Sequence, residues 1–131
     1  MYLLDTNTLI YAYRNLGNCR AKLEAYQPSE ICICPISVAE IEYGIAKSVR
    51  PEALRLFLAD IQNRYALQAI SYAAASQAGQ LRAVLDRQGM PIGPYDLLIA
   101  GVALANDLTL VTRNTREFSR VPKLKLDSWY D

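Results

Sequence analysis

The chain has 131 residues, 52% hydrophobic and 21% charged, with a net charge of +1. Those proportions exclude a disordered segment and fit one globular domain over residues 1–131, and the net charge by itself argues neither for nor against nucleic acid. A chain this long hides roughly 68% of its unfolded surface on folding, enough for a real core. In chain order, the apolar run Tyr2-Leu3-Leu4 before turn-type residues predicts a buried parallel strand. Thr6 or Asn7 is expected to cap a helix over 8–14, and a second short helix is expected over 20–26, ended by Pro28. Residues 31–34 read as the second strand, and Ser37 as the start of a helix reaching Lys47. Pro51 suits the first turn of a helix running to Tyr65, with Leu54, Phe57, Leu58 and Ile61 at helical spacing. A third strand is expected over 67–70, followed by a long helix capped by Ser71 and closed by Gly89. Pro94 opens a helix to Ala105, 108–111 is the fourth strand, 115–118 a helical turn, and Lys125-Leu126 an edge strand. Strands alternating with helices predict an α/β sandwich, with a mostly parallel sheet of four to five strands flanked by helices.

Three cysteines, Cys19, Cys32 and Cys34, make no disulfide framework and read as small buried hydrophobes of a reducing compartment. The absence of a signal peptide and of a transmembrane run predicts a cytoplasmic protein without membrane association.

Chemistry concentrates in three acids, in a chain without a single histidine. Asp5 follows the first strand, Glu40 lies early in the Ser37 helix, and Asp96 lies early in the Pro94 helix. In open α/β sheets, active sites form where strands end and helices begin. Carboxylates without imidazole or paired thiols suit a hard cation, Mg²⁺ or Mn²⁺, that activates water against a phosphodiester. Each acid also has a structural reading. Asp5 serves as a helix-entry residue, Glu40 as the far half of a Ser37-x-x-Glu40 capping box, and Asp96 as a charge favouring a helix N-terminus. Ser37 and Thr112 lack a base to activate them as nucleophiles. Arg113, Arg116 and Arg120 form, with Lys123 and Lys125, a basic stretch able to contact phosphates or simply to solvate a surface.

Four stretches, taken in order, resemble the PIN-domain ribonucleases and, more closely, the VapC toxins of bacterial toxin–antitoxin pairs. They are Met-Tyr-Leu-Leu-Asp-Thr-Asn at 1–7, Ile-Ser-Val-Ala-Glu-Ile-Glu-Tyr-Gly at 36–44, Pro-Tyr-Asp-Leu-Leu-Ile-Ala-Gly at 94–101 and Leu-Val-Thr-Arg-Asn-Thr-Arg-Glu-Phe at 110–118. The resemblance implies a PIN-like sandwich whose acidic pocket binds Mg²⁺ or Mn²⁺, with Asp5, Glu40 and Asp96 as core acids. Many PIN domains carry a fourth aspartate where this chain has Asn114. Glu117, one helical turn on, is the alternative source of that charge. Arg113, Arg116 and Arg120 are then expected to contact RNA phosphates. The implied function is a metal-dependent endoribonuclease toxin acting on RNA, with tRNA the leading substrate. The resemblance also implies a cognate VapB-like antitoxin, operator DNA bound only through that antitoxin, and a homodimer. The rival readings are a PIN-domain nuclease outside toxin–antitoxin systems and a non-catalytic partner in a DNA-binding repressor complex.

Overall fold

Five short strands form a single sheet in a computed structural model that describes residues 1–131. They are β1 (Tyr2–Leu4), β2 (Ile31–Ile33), β3 (Ala66–Leu67), β4 (Thr109–Val111) and β5 (Lys125–Asp127). Their order is β3-β2-β1-β4-β5, and every neighbouring pair is parallel. Parallel pairing requires crossovers, and seven helices supply them: α1 (Thr6–Arg14), α2 (Cys19–Ala25), α3 (Pro35–Lys47), α4 (Glu52–Arg64), α5 (Tyr72–Arg87), α6 (Pro94–Ala105) and α7 (Thr115–Phe118).

The sheet separates two cores. Successive side chains of a strand point to opposite faces. Leu3, Cys32 and Leu110 therefore join the core under α5 and α6, while Leu4, Ile31, Ile33 and Val111 join the core under α1 to α4. Cys19, Cys32 and Cys34 are all free thiols buried in these cores. Leu58 and Ile61 of α4 are buried, and Leu54 and Phe57 pack beside them on the same core. The apolar stripe of α4 is thus used internally. No helix is long and apolar enough to cross a membrane.

Several boundaries differ from the sequence reading. Helix α3 begins at Pro35, two residues before Ser37, because proline at a first helical position gives up an N–H that has no partner there anyway. Helix α1 begins at Thr6 and is capped by Asp5, not by Thr6 or Asn7. Pro51 stands just before α4. Strand β3 is Ala66–Leu67 and not 67–70, since its partner β2 stops at Ile33 where α3 begins. A 3₁₀ turn, Pro28–Glu30, precedes β2 and was not predicted.

Helices α5 and α6 approach each other closely at Gly101. A Cβ at Gly101 would lie 2.4 Å from the Ala74 carbonyl oxygen and 3.3 Å from the Ala78 Cβ. Alanine normally gains stability over glycine inside a helix. Here Gly101→Ala is expected to lose about 1–3 kcal/mol through overpacking, read as a lowered melting temperature. A stabilised variant would show that the two helices can separate freely.

Candidate active site

From β1 the chain winds outward through β2 to β3, then crosses back to β4 and β5 on the other side. The crevice beyond the carboxyl ends of β1 and β4 is therefore the topological switch point, where open α/β sheets bind ligands. Asp5 follows β1, Glu40 lies in the helix after β2, Asp96 opens α6, and Asn114 follows β4. The Asp5 N–H donates to the Val111 carbonyl at 3.1 Å, which ties the two central strands together at this point.

Asp5 is only 6% exposed. Its Oδ1 accepts from the Thr8 N–H at 2.8 Å, which makes it the cap of α1. Burial pushes its pKa up. Hydrogen bonds from Thr112 and Thr8 pull it back, and the Glu40 charge adds to the rise. The structural role of Asp5 is real, and it holds the carboxylate rigidly at the mouth of the sheet.

Glu40 is half-buried on α3, and its Oε1 accepts from the Thr6 hydroxyl at 2.7 Å. Thr6 Oγ also lies 3.0 Å from the hydroxyl of the fully buried Ser37. One hydroxyl has one proton. Thr6 gives it to Glu40, so Ser37 donates to Thr6, and the three form a directed chain ending on the carboxylate. No capping box exists here: Ser37 lies inside α3, and Cys34 precedes the helix without a side-chain cap. The Ser37-x-x-Glu40 spacing that suggested a box instead places both side chains toward Thr6. Thr6 and Ser37 are thus site residues that the sequence reading assigned to helix ends.

Asp96 lies in the first turn of α6, half-buried. Its pKa is raised to about 6, chiefly by burial, then by the charges of Asp5, Glu117 and Glu40. Four acids therefore share one electrostatic environment. Asn114 Nδ2 donates to Glu117 Oε2 at 2.7 Å, while its backbone N–H donates to the Thr112 hydroxyl at 3.1 Å. Asn114 and Glu117 act as one unit, the amide holding the carboxylate in place.

A cleft of about 270 Å³ is lined by Asp5, Asn7, Tyr11, Arg113 and Asn114. Glu40 and Asp96 line a second depression with Gly93, Pro94 and Tyr95. Arg113 borders the cleft; Arg116 and Arg120 do not. The two ion pairs of the protein, Arg64–Asp60 and Lys125–Asp107, both lie away from the acids. No cationic side chain forms an ion pair with Asp5, Glu40 or Asp96. No three of the protein's acids are gathered tightly enough to hold one ion by themselves. All the donors are hard carboxylate oxygens. Such a set fits Mg²⁺ or Mn²⁺, since Mg²⁺ keeps several waters and takes only one or two carboxylates from a protein.

The PIN domain profile matches residues 2–124 of this chain. Over 128 residues the chain is 37% identical to the tRNA(fMet)-specific endonuclease VapC of Salmonella typhimurium, covering 98% of this chain and 97% of that one. It is 37% identical over 131 residues to ribonuclease VapC2 of Rickettsia felis, covering 98% of each chain. Among solved structures, VapBC2 of Rickettsia felis bound to a DNA fragment from its promoter matches with a TM-score of 0.88 at 35% identity, over 98% of both chains. DNA-bound VapBC from Salmonella typhimurium matches with a TM-score of 0.89 at 37% identity, over 98% of this chain and 97% of that one. The acids at the switch point and these full-length likenesses agree, and the chain belongs to the PIN-domain family, among the VapC ribonuclease toxins of VapBC toxin–antitoxin systems.

Proposed function

We propose that this chain, acting as a single domain, hydrolyses RNA phosphodiester bonds at a divalent-cation site formed by Asp5, Glu40 and Asp96, with Glu117 as the fourth acid. The relative named for tRNA(fMet) makes that initiator tRNA the substrate to test first. The observation that carries the reading is the placement of Asp5, Glu40 and Asp96 about the switch point with no ion-pair partner among them; the Asp96 pKa, raised to about 6 by burial and then by the charges of Asp5, Glu117 and Glu40, agrees with it. A set of like charges without a cationic partner is unfavourable unless a cation joins it.

One or two of the carboxylates Asp5, Asp96 and Glu40 would hold Mg²⁺ or Mn²⁺ directly, and the rest would meet it through its waters. The chemistry such an ion supplies when bound is Lewis-acid stabilisation of the phosphodiester's developing charge. Thr6 fixes Glu40 through Oε1 and leaves Oε2 to accept a proton from the attacking water. Asn114 orients Glu117, and Arg113 at the cleft edge takes up a neighbouring phosphate. Arg116 and Arg120 would meet RNA further from the cut. A cognate VapB-like antitoxin silences the site and carries the pair to operator DNA, as the relatives' DNA-bound VapBC complexes support. Homodimerisation and a cytoplasmic location complete the proposal.

The test is to incubate the purified chain with a tRNA(fMet) transcript in Mg²⁺, in Mn²⁺ and in EDTA, and to map new RNA ends. Cleavage confined to the metal arms is expected. Equal cleavage in EDTA would remove the cation from the mechanism.

Thr6→Val keeps the β-branched shape and deletes the hydroxyl. It is expected to lower kcat about tenfold, less than the roughly 100-fold that losing a proton-transfer group outright would cost, and to lower stability by about 1–3 kcal/mol because the buried Ser37 hydroxyl loses its acceptor. Unchanged turnover would separate Glu40 from the chemistry.

Asp96 also makes stability depend on pH. Without cation, the folded state keeps its proton up to about 6, whereas an unfolded aspartate releases it near 3.8. Stability is therefore undiminished below 3.8, falls as pH rises toward about 6, and stays lowered above that. Melting curves in EDTA should show Asp96→Asn gaining on the parent across that window. A gap of the same size on both sides of it would mean that Asp96 titrates normally.

A further inference from the structure

The reaction outlined above leaves Tyr11 and Tyr130 without a task. The Arg113 guanidinium lies 3.6 Å from the ring centroid of Tyr130 and 5.6 Å from that of Tyr11. The two rings meet edge-on, with centroids 5.0 Å apart at 73°. The nearby Tyr11 hydroxyl pushes the pKa of the guanidinium up. Arg113 is nevertheless exposed and pairs with no carboxylate. It shares the cleft lining with Asp5.

Tyr130 is held in this position by the turn between α1 and α2. Its carbonyl accepts from the Asn18 N–H at 2.9 Å. Gly17 in the same turn has φ +58°, and a Cβ there would lie 2.4 Å from the Tyr130 carbonyl oxygen and 2.8 Å from its ring. Only glycine admits both the left-handed backbone and this contact. The C-terminal segment is thus seated closely enough to fix a ring beneath Arg113. Tyr130 also falls beyond the 2–124 stretch that the PIN domain profile matches.

We infer that Tyr130 and Tyr11 are positioning residues that hold the Arg113 guanidinium at the rim of the Asp5 cleft, as a clamp for an RNA phosphate flanking the one being cut. This rests on the ribonuclease reading. A free arginine is rich in rotamers, and stacking its flat face on a ring removes that ordering cost before RNA arrives. The stacked face leaves the in-plane N–H groups free, and those are the groups that fork onto phosphate oxygens. A flanking phosphate is bound alike in ground and transition states, so its loss raises KM and spares kcat.

The experiment is a double-mutant cycle on the full chain, measuring kcat and KM for a tRNA(fMet) transcript in Mn²⁺. Arg113→Gln is expected to raise KM about tenfold, as for loss of a charge-assisted hydrogen bond. It should also reduce the slope of log binding against log salt by about one phosphate contact. Tyr130→Leu should raise KM about two- to fivefold, the factor a water-exposed cation–π contact supports. Tyr130→Phe, which keeps the ring face, should rescue it. The Arg113→Gln/Tyr130→Leu double variant should match Arg113→Gln alone. Multiplying effects, a change confined to kcat, or a parental KM in Tyr130→Leu would overturn the inference. If Tyr130→Leu does not fold, Tyr11→Leu carries the same test: it removes the ring that meets Tyr130 edge-on beside Arg113, and its KM effect must vanish in the Arg113→Gln background. A parent chain that cleaves no RNA sinks the ribonuclease reading and this inference together. A cleaving parent with independent effects sinks only the inference.

Discussion

Asp5→Asn is expected to lower RNA cleavage by about two to three orders of magnitude, the scale for losing one preorganised electrostatic group at a reacting phosphate. The fold should survive and, without cation, gain stability. Asparagine keeps the side-chain oxygen that caps α1 through Thr8, and asparagine caps as well as aspartate. It removes a charge that burial and the Glu40 carboxylate already disfavour. The measurement pairs cleavage in Mn²⁺ with a melting curve in EDTA. Asp5→Ala makes the contrast, because it loses the charge and the cap together and should cost about 1 kcal/mol. A folded Asp5→Asn protein that still cuts RNA at the parental rate would sink the metal-site proposal.

Trp129→Ala should be the most damaging single truncation, costing about 3–5 kcal/mol out of a total stability on the order of 5–15 kcal/mol. Trp129 is 1% exposed. Its ring stacks on Tyr26 at 5.2 Å and 7°, and Tyr2 of β1 meets it edge-on at 5.4 Å. Its indole N–H is buried without an acceptor. Trp129→Phe therefore forfeits no hydrogen bond and should recover most of the loss. Urea unfolding midpoints for the three proteins decide it. A loss under about 1 kcal/mol for the alanine variant, the ordinary surface range, would mean that the C-terminal segment adds little to the core.

Much of the candidate site was legible because its signals are local. Asp5, Glu40 and Asp96 were selected by their place beside predicted strands and helices, and those elements exist with boundaries moved by a few residues. Cys19, Cys32 and Cys34 read as buried apolar groups and are buried. The misreadings have a common cause: each used a local rule where a distant partner prevailed. Ser37 looked like the cap of a box with Glu40, but Thr6, 31 residues earlier, draws both side chains to itself. The helical spacing of Leu54, Phe57, Leu58 and Ile61 marked an apolar stripe but not its partner, which is the core under α1 to α4. Nothing in the sequence marked Trp129 or Tyr130, which lie beyond the last recognisable strand.

The alternation of apolar runs and helical periods by itself determined that the chain would build a parallel sheet between helices, because those periods reflect only which way neighbouring side chains point. It also determined that Asp5 would stand at a strand end and that Glu40 and Asp96 would lie early in helices, where backbone geometry holds a carboxylate firmly. Only the tertiary structure decided which groups touch those acids: a threonine hydroxyl on Glu40, an amide on Glu117, and a C-terminal tyrosine under Arg113. Such contacts join residues far apart in the chain, and their distances are set by how layers pack against the sheet, which no local period encodes.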